Sequence, residues 1–187
     1  MGNTVSNVTT GKPKTGGAVF WAPLGTTIPT DTTTALDKAF VCMGYCSDDG
    51  VSNSAAPDTD EVKAWGGDTV LRTNKGRKDS FKFTMLEAKN PDVLKRVYNS
   101  TNVTGDLKAG LTVKVNSEDP EEGIWVIDEI LRGNTAKRTV IPDGQVTDLG
   151  DVESKDGDPI GYEVTVAASP DASGNTHYEY LKDPSTT

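Results

Sequence analysis

Three residue types in this chain could do chemistry: two close cysteines, one histidine, and several paired carboxylates. Cys42 and Cys46 are four residues apart, and His177, the only histidine, lies far along the chain. A structural zinc site needs about four nitrogen or sulfur ligands, so these residues do not predict one. The two cysteines are too few for a disulfide scaffold; either two reduced thiols or one local disulfide fits them, and the thiols are favoured.

Adjacent carboxylates occur at three places, Asp48-Asp49, Glu121-Glu122 and Asp128-Glu129. Glycosidase chemistry needs two carboxylates that face each other across a cleft. Neighbouring residues of a strand point to opposite faces, so Asp128 and Glu129 cannot form such a pair. A solvated acidic surface explains the carboxylates better than a small glycosidase does, and we expect no enzyme.

No sequence motif for binding a nucleotide or a calcium ion is complete. Gly11-Lys12 lacks the upstream glycine of a phosphate-binding loop, and no glycine-rich fingerprint precedes a helix. In the acidic segment near Gly157, the EF-hand register puts Val152 and Ser154 at ligand positions, so only an irregular calcium site remains open. We expect neither a cofactor nor a metal.

Three tryptophans could act as stacking platforms or anchors. Trp125 lies in an apolar run typical of a core strand, whereas Trp21 and Trp65 have polar, glycine-rich neighbours. Such aromatic side chains often fill a pocket on a partner.

The composition restricts the partners. The chain has 187 residues, with 19 Lys and Arg against 28 Asp and Glu, a net charge of −9. A protein this acidic does not bind nucleic acid or anionic membranes through a basic surface. No apolar run reaches the ~18 residues of a membrane span, and the first residues do not read as a signal peptide.

The elements that must position these residues are mostly strands. Residues 1–38 read as an N-terminal arm with a first strand region, residues 39–182 as one β domain, and residues 183–187 as a short tail. Within the domain we predict a long polar loop over residues 44–60 and a second acidic loop over residues 142–159.

Periodicity predicts the remaining elements. Phe81, Phe83 and Met85 alternate with polar residues, and strands over 69–73 and 79–86 are expected to form a hairpin around residues 74–76. A short helix is expected over about 90–99, since Asn90 suits the N-cap and Pro91 the first helical position. Later strands are expected over residues 111–115, 124–131, 136–141, 160–168 and 176–182. The fold class is mostly β (α+β), an antiparallel β-sandwich or barrel with one short packed helix.

The order of these features resembles that of the tail tube (major tail) proteins of long-tailed bacteriophages. The resemblance covers roughly residues 16–182 and begins with a glycine-led strand and a Pro/Thr-rich segment over residues 16–26. It continues through the turn Met43-Gly44-Tyr45-Cys46-Ser47-Asp48-Asp49-Gly50, the segment 63–68, the strand 81–87, the helix and the last two strands.

The resemblance implies a structural virion protein of the tail. Such subunits form six-membered rings that stack into a hollow tube around a tape-measure protein, in contact with tail terminator or tip proteins. Genome DNA later passes through the lumen without specific binding, and assembly takes place in the host cytoplasm. The resemblance also implies that an arm and a long loop connect the rings, with no membrane involved and no further C-terminal immunoglobulin-like domain.

From this we predict two sets of functional residues. The contacts between subunits are expected to use aromatic residues of the arm and loop, and the lumen to be lined by polar residues of apolar strands. The first set is Phe20, Trp21, Phe40, Tyr45 and Trp65, with Trp65 at the base of a hairpin; the second is Asp128, Glu163 and Lys82. Two alternatives stay open: another tube-fold component (a contractile-tail tube or a tail terminator), and a carbohydrate-binding or adhesin β-sandwich.

Overall fold

A computed structural model describes residues 2–184 of the chain, so residues 185–187 of the predicted tail lie outside the described part. It has eleven strands, one α-helix and two short 3₁₀ turns. The strands are β1 Gly11–Pro13, β2 Val19–Pro23, β3 Val41–Cys42, β4 Cys46–Lys63, β5 Thr69–Met85, β6 Val103–Asp106, β7 Gly110–Val113, β8 Gly123–Leu131, β9 Ala136–Leu149, β10 Tyr162–Ala168 and β11 Tyr178–Lys182. The helix α1 is Pro91–Tyr98, and the 3₁₀ turns are Val5–Asn7 and Ser100–Asn102.

Nine strands form one antiparallel sheet in the order β3-β2-β8-β9-β10-β5-β4, which confirms the mostly β fold class. The strand β1 continues the path of β2 along one edge of β8, and β11 continues the path of β10 along the far edge of β9. The remaining two strands, β6 and β7, form a separate hairpin.

Three predicted connections are wrong. Residues 46–60 of the expected loop 44–60 belong to strand β4, and residues 74–76 lie inside strand β5 instead of forming a turn. The first half of the expected acidic loop 142–159 is the end of β9. In each case pairing with the next strand along the chain extends a polar segment that shows little periodicity of its own.

The main core lies on one face of the sheet, beneath the helix. On β5, Phe81, Phe83 and Met85 face inward as predicted, with 3% or less of each side chain exposed. Trp125 is also buried, as predicted, and its indole N–H donates to the carbonyl of Gly144 at 3.1 Å.

The helix begins and ends where the sequence predicts. The side chain of Asn90 accepts a hydrogen bond from the backbone N–H of Asp92, and Pro91 is the first helical residue. Arg96 then connects the helix to its surroundings, since its guanidinium lies 3.7 Å from the centre of the Trp21 ring and 2.6 Å from Glu121. These contacts hold the helix against β2 and the segment before β8.

The opposite face of the sheet is covered by residues 24–40, which we call the strap. Its half-buried Ile28 and Leu36 pack against Ile124, Val126 and Val140 of the sheet in a second, smaller apolar cluster. Both faces of β8 are therefore buried, which explains its nearly continuous apolar sequence.

A buried ion pair fastens the strap. Arg138 on β9 donates to both carboxylate oxygens of Asp128 on β8, at 2.6 and 2.8 Å, and the two side chains are 2% and 6% exposed. The same guanidinium donates to the strap carbonyls of Asp31 and Thr34, at 3.0 and 2.8 Å. The pair thus links two strands of the sheet to the segment that covers them.

Candidate functional site

A two-stranded ribbon extends from the sheet. Strands β4 and β5 pair along almost their whole length, but β10 pairs only with residues 79–85 of β5. Residues 56–78, which we call the ribbon, therefore extend beyond the neighbouring strand, and every residue from 59 to 78 is exposed. An isolated two-stranded ribbon is marginally stable in water. Contact with another surface would therefore stabilise this segment more than the parts of the sheet that are already covered.

The ribbon combines cross-strand ion pairs with exposed apolar side chains. Oppositely charged residues meet at 2.6 to 3.4 Å in the pairs Asp60–Lys75, Glu61–Arg72 and Asp58–Lys78. Exposed pairs of this kind contribute little to stability. Val62 and Leu71 lie directly opposite each other, 50% and 53% exposed, so the ribbon presents an apolar patch to solvent.

Trp65 lies at the tip of the ribbon and is fully exposed. The turn is closed by a hydrogen bond from the N–H of Ala64 to the carbonyl of Asp68, at 2.8 Å. Gly66 and Gly67 have φ values of +127° and +99°, which other residues rarely adopt. The prediction that Trp65 lies at the base of a hairpin is wrong, because the turn is at Ala64–Asp68. The glycine pair after Trp65 is the signal that could have located it.

The base of the ribbon is held by a buried carboxylate. Asp79 is 3% exposed and accepts hydrogen bonds from Asn53 and Thr176, at 2.7 and 2.6 Å, while His177 Nδ1 lies 2.5 Å from its Oδ2. Burial raises the pKa of Asp79, but the hydrogen bonds from Thr176, Asn53 and His177 outweigh burial and hold the pKa below its ordinary value. The cluster connects β4, β5 and the segment before β11, so it fixes where the ribbon leaves the sheet.

A cavity of about 510 Å³ lies near the other end of β4. Its walls come from residues 11–18, from residues 42–51 and from β8, and much of the lining is glycine or apolar: Gly16, Gly17, Ala18, Gly44, Val51 and Ile127. Glycine at position 17 is required by a φ of +132° and by the nearby Cys42 sulfur and Phe20 ring. We call this space the N-terminal cavity.

Both cysteines line the N-terminal cavity as free thiols, in agreement with the favoured alternative. Burial raises the pKa of the Cys46 thiol to about 11, with smaller contributions from Cys42 and Glu87. Within residues 2–184, no group of three or more His, Cys, Asp or Glu side chains could hold a metal ion.

The structure separates the five predicted contact residues into two groups. Tyr45 is 79% exposed beside the N-terminal cavity, and Trp65 is at the ribbon tip. Phe20 and Phe40 instead pack against the smaller apolar cluster. The interpretation of Trp21 as an arm anchor is wrong: its side chain is buried in the main core beneath Arg96.

The structure also divides the three predicted lumen residues into one that is buried and two that are accessible. Asp128 is 4% exposed and paired with Arg138, so it cannot face a water-filled channel, and that prediction is wrong. A polar residue in an apolar strand usually faces solvent, whereas β8 is covered on both sides. Lys82 and Glu163 are accessible and form an ion pair of 2.8 Å between β5 and β10.

Two comparisons bear on the family. The model of a family described as phage tail tube protein matches residues 4–186, nearly the whole chain. No curated protein matches the chain. In the described part of the chain, no helix has the length and apolar character to cross a membrane. On the strength of that family match and the β architecture described above, the chain belongs to the phage tail tube protein family.

Proposed function

We propose that this structural tail protein assembles into six-membered rings that stack into a hollow tube, through which the phage genome passes. The observation that carries this proposal is the exposed ribbon with its apolar residues Val62, Trp65, Val70 and Leu71. A protein that remained a monomer would leave this surface in water, whereas a polymer covers it.

The open edge of the sheet supports the same proposal. Within the described residues, β4 pairs with β5 alone, so its other edge has unpaired backbone N–H and C=O groups. Such an edge is a template for pairing with another chain unless something covers it. A neighbouring subunit would cover it, and the number six follows from the resemblance to tail tube proteins.

The net charge of −9 suits a conduit for DNA. Acidic walls repel phosphate groups and leave no basic surface on which DNA would be retained. Lys82 and Glu163 remain the proposed lumen residues. The tape-measure protein, terminator or tip proteins, and assembly in the host cytoplasm are proposed from the resemblance.

The test is negative-stain electron microscopy of the purified protein across a concentration series, with light-scattering mass measured on the same samples. We expect ring-shaped end views and tubes that lengthen with concentration. A species that stays at the monomer mass of 19.9 kDa at every concentration contradicts the proposal. Capped single rings instead of tubes would favour a tail terminator.

A variant with a shortened ribbon tests whether assembly requires the ribbon. Replacing residues 59–75 by Asn-Gly, a favoured two-residue hairpin turn, removes most of the ribbon and leaves both apolar clusters intact. We expect a folded monomer that forms no tubes. Leu107→Ser is the matched control, because it removes a 59% exposed apolar side chain outside the ribbon, and it is expected to assemble normally.

A further inference from the structure

The ribbon tip presents an exposed aromatic side chain, and the N-terminal cavity has room for one. Trp65 is the only one of the three tryptophans that is exposed, whereas Trp21 and Trp125 are buried. The cavity volume of about 510 Å³ lies within the range of roughly 300–1,000 Å³ in which proteins hold compact ligands. Two glycines of its wall, Gly16 and Gly50, have open space where a side chain would project.

The charges beside the two surfaces are also complementary. Lys63 and Asp68 flank Trp65 at the tip, one on each strand. The cavity has acidic Glu87 and Glu129 and basic Lys12 and Lys14 among its lining residues, and Glu129 also lies 3.8 Å from Lys137. Each charge of the tip therefore finds an opposite charge at the cavity, and aromatic anchors that enter pockets are the usual centres of tight interfaces.

A chain cannot bring its own tip to its own cavity. Val51 lines the cavity and Lys63 ends the same strand, twelve residues further along β4. An extended strand advances about 3.3 Å per residue, which separates the two surfaces by roughly 40 Å. Any contact between them must therefore join two copies of the chain.

We propose that Trp65 of one subunit inserts into the N-terminal cavity of the next subunit along the tube. This inference rests on the proposed function and specifies the contact between successive rings. Tip and cavity are different surfaces, so the contact is heterologous and repeats without closing on itself when the copies are displaced along an axis. The distance between them also limits the axial repeat of the tube to at most about 40 Å, because a ribbon inclined to the axis gives a shorter repeat.

The two native thiols make the contact testable by cross-linking. Ala64→Cys places a thiol beside Trp65 and keeps the indole, and a short bismaleimide can then join it to Cys42 of the next subunit, or more slowly to Cys46, whose pKa burial raises. We expect a ladder of covalent oligomers on denaturing gels, and a cross-linked peptide that joins position 64 to position 42 or 46. The ladder should disappear when Cys42→Ser and Cys46→Ser are added.

The matched control is Leu107→Cys, which places an exposed thiol on the turn between β6 and β7. It should give no cross-link to Cys42 or Cys46. Trp65→Ala should reduce the mass fraction of tubes at least tenfold at equal concentration, with an unchanged circular dichroism spectrum.

The possible outcomes separate this inference from the proposed function. Tubes, together with a ladder that requires Ala64→Cys and the native cysteines, support both the Trp65 contact and the tube function. Tubes without that ladder, or tubes with an axial repeat well above about 40 Å, overturn the Trp65 contact and leave the tube function standing. If the unmodified chain forms no polymer, both the Trp65 contact and the tube function are wrong.

Discussion

The burial of the Asp128–Arg138 ion pair predicts that this pair holds the strap on the sheet. Arg138→Met keeps an unbranched apolar stem but removes four hydrogen bonds, two to Asp128 and two to the strap carbonyls of Asp31 and Thr34. The carboxylate of Asp128 would then be left buried, with only Lys14 at 3.4 Å as a charged partner.

The expected loss is large because a buried charge loses its main partner. Removing one member of a buried ion pair costs about 3–5 kcal/mol, a large share of the roughly 5–15 kcal/mol that keeps a domain folded. The strap carbonyls contribute less, since water can reach them once the strap separates from the sheet. We therefore expect Arg138→Met to lower the free energy of unfolding by about 3–5 kcal/mol.

The assay is urea denaturation followed by circular dichroism, at a concentration where the protein is monomeric. Arg132→Met is the matched control, because Arg132 is exposed, and its expected cost is below about 0.5 kcal/mol. The double variant Asp128→Leu/Arg138→Met removes both charges and should recover most of the loss. Limited proteolysis should cut the strap faster in Arg138→Met than in the unmodified protein.

Two results would refute this reasoning. One is a cost below about 1 kcal/mol for Arg138→Met, which would mean that water reaches Asp128 and the pair is not buried in solution. The other is a double variant no more stable than the single one, which would mean that the unpaired carboxylate is not the source of the loss.

Three further variants test other parts of the structure. Trp21→Ala should lower the free energy of unfolding by about 3–5 kcal/mol in urea titrations, because it empties a core position; unchanged stability with lost assembly would restore the anchor interpretation. Asp79 has a folded pKa below its ordinary value of 3.8, so its stabilisation is present above that pH and lost as the pH falls below it. Asp79→Asn should therefore flatten the acid limb of a stability–pH curve, and an unaltered limb would contradict this. Burial is the main reason that the pKa of Cys46 is about 11 against an ordinary 9.0, so in a Cys42→Ser background its alkylation at pH 8 should still be more than about tenfold slower than for a free thiol. Rates equal to those of the unfolded protein would refute its burial.

Features set by neighbours along the chain were predictable from the sequence. The cap at Asn90 and the proline after it determine where the helix begins, because both act on the first turn alone. Alternation in β5 identified which of its residues face the core. The order of turns, strands and helix was enough to predict the tail tube family.

The length of the ribbon was not predictable, although its two strands are neighbours along the chain. The ribbon exists because β4 and β5 pair with each other, and apart from the predicted strand 69–73 neither polar segment shows a strand period that would have revealed it. The position of Trp65 at its tip, and so its availability to another subunit, depends on that pairing.

The sequence by itself determined the class of protein and the inward residues of its amphipathic elements. Only the tertiary structure decided that Trp21 and Asp128 are buried, because the helix covers one face of β8 and the strap covers the other. A strand with one solvent-exposed face would have left Asp128 in water, and its residue pattern alone does not distinguish the two cases. The covering segments come from positions about 30 and about 100 residues away in the chain, and contacts at that range leave no local pattern in the sequence.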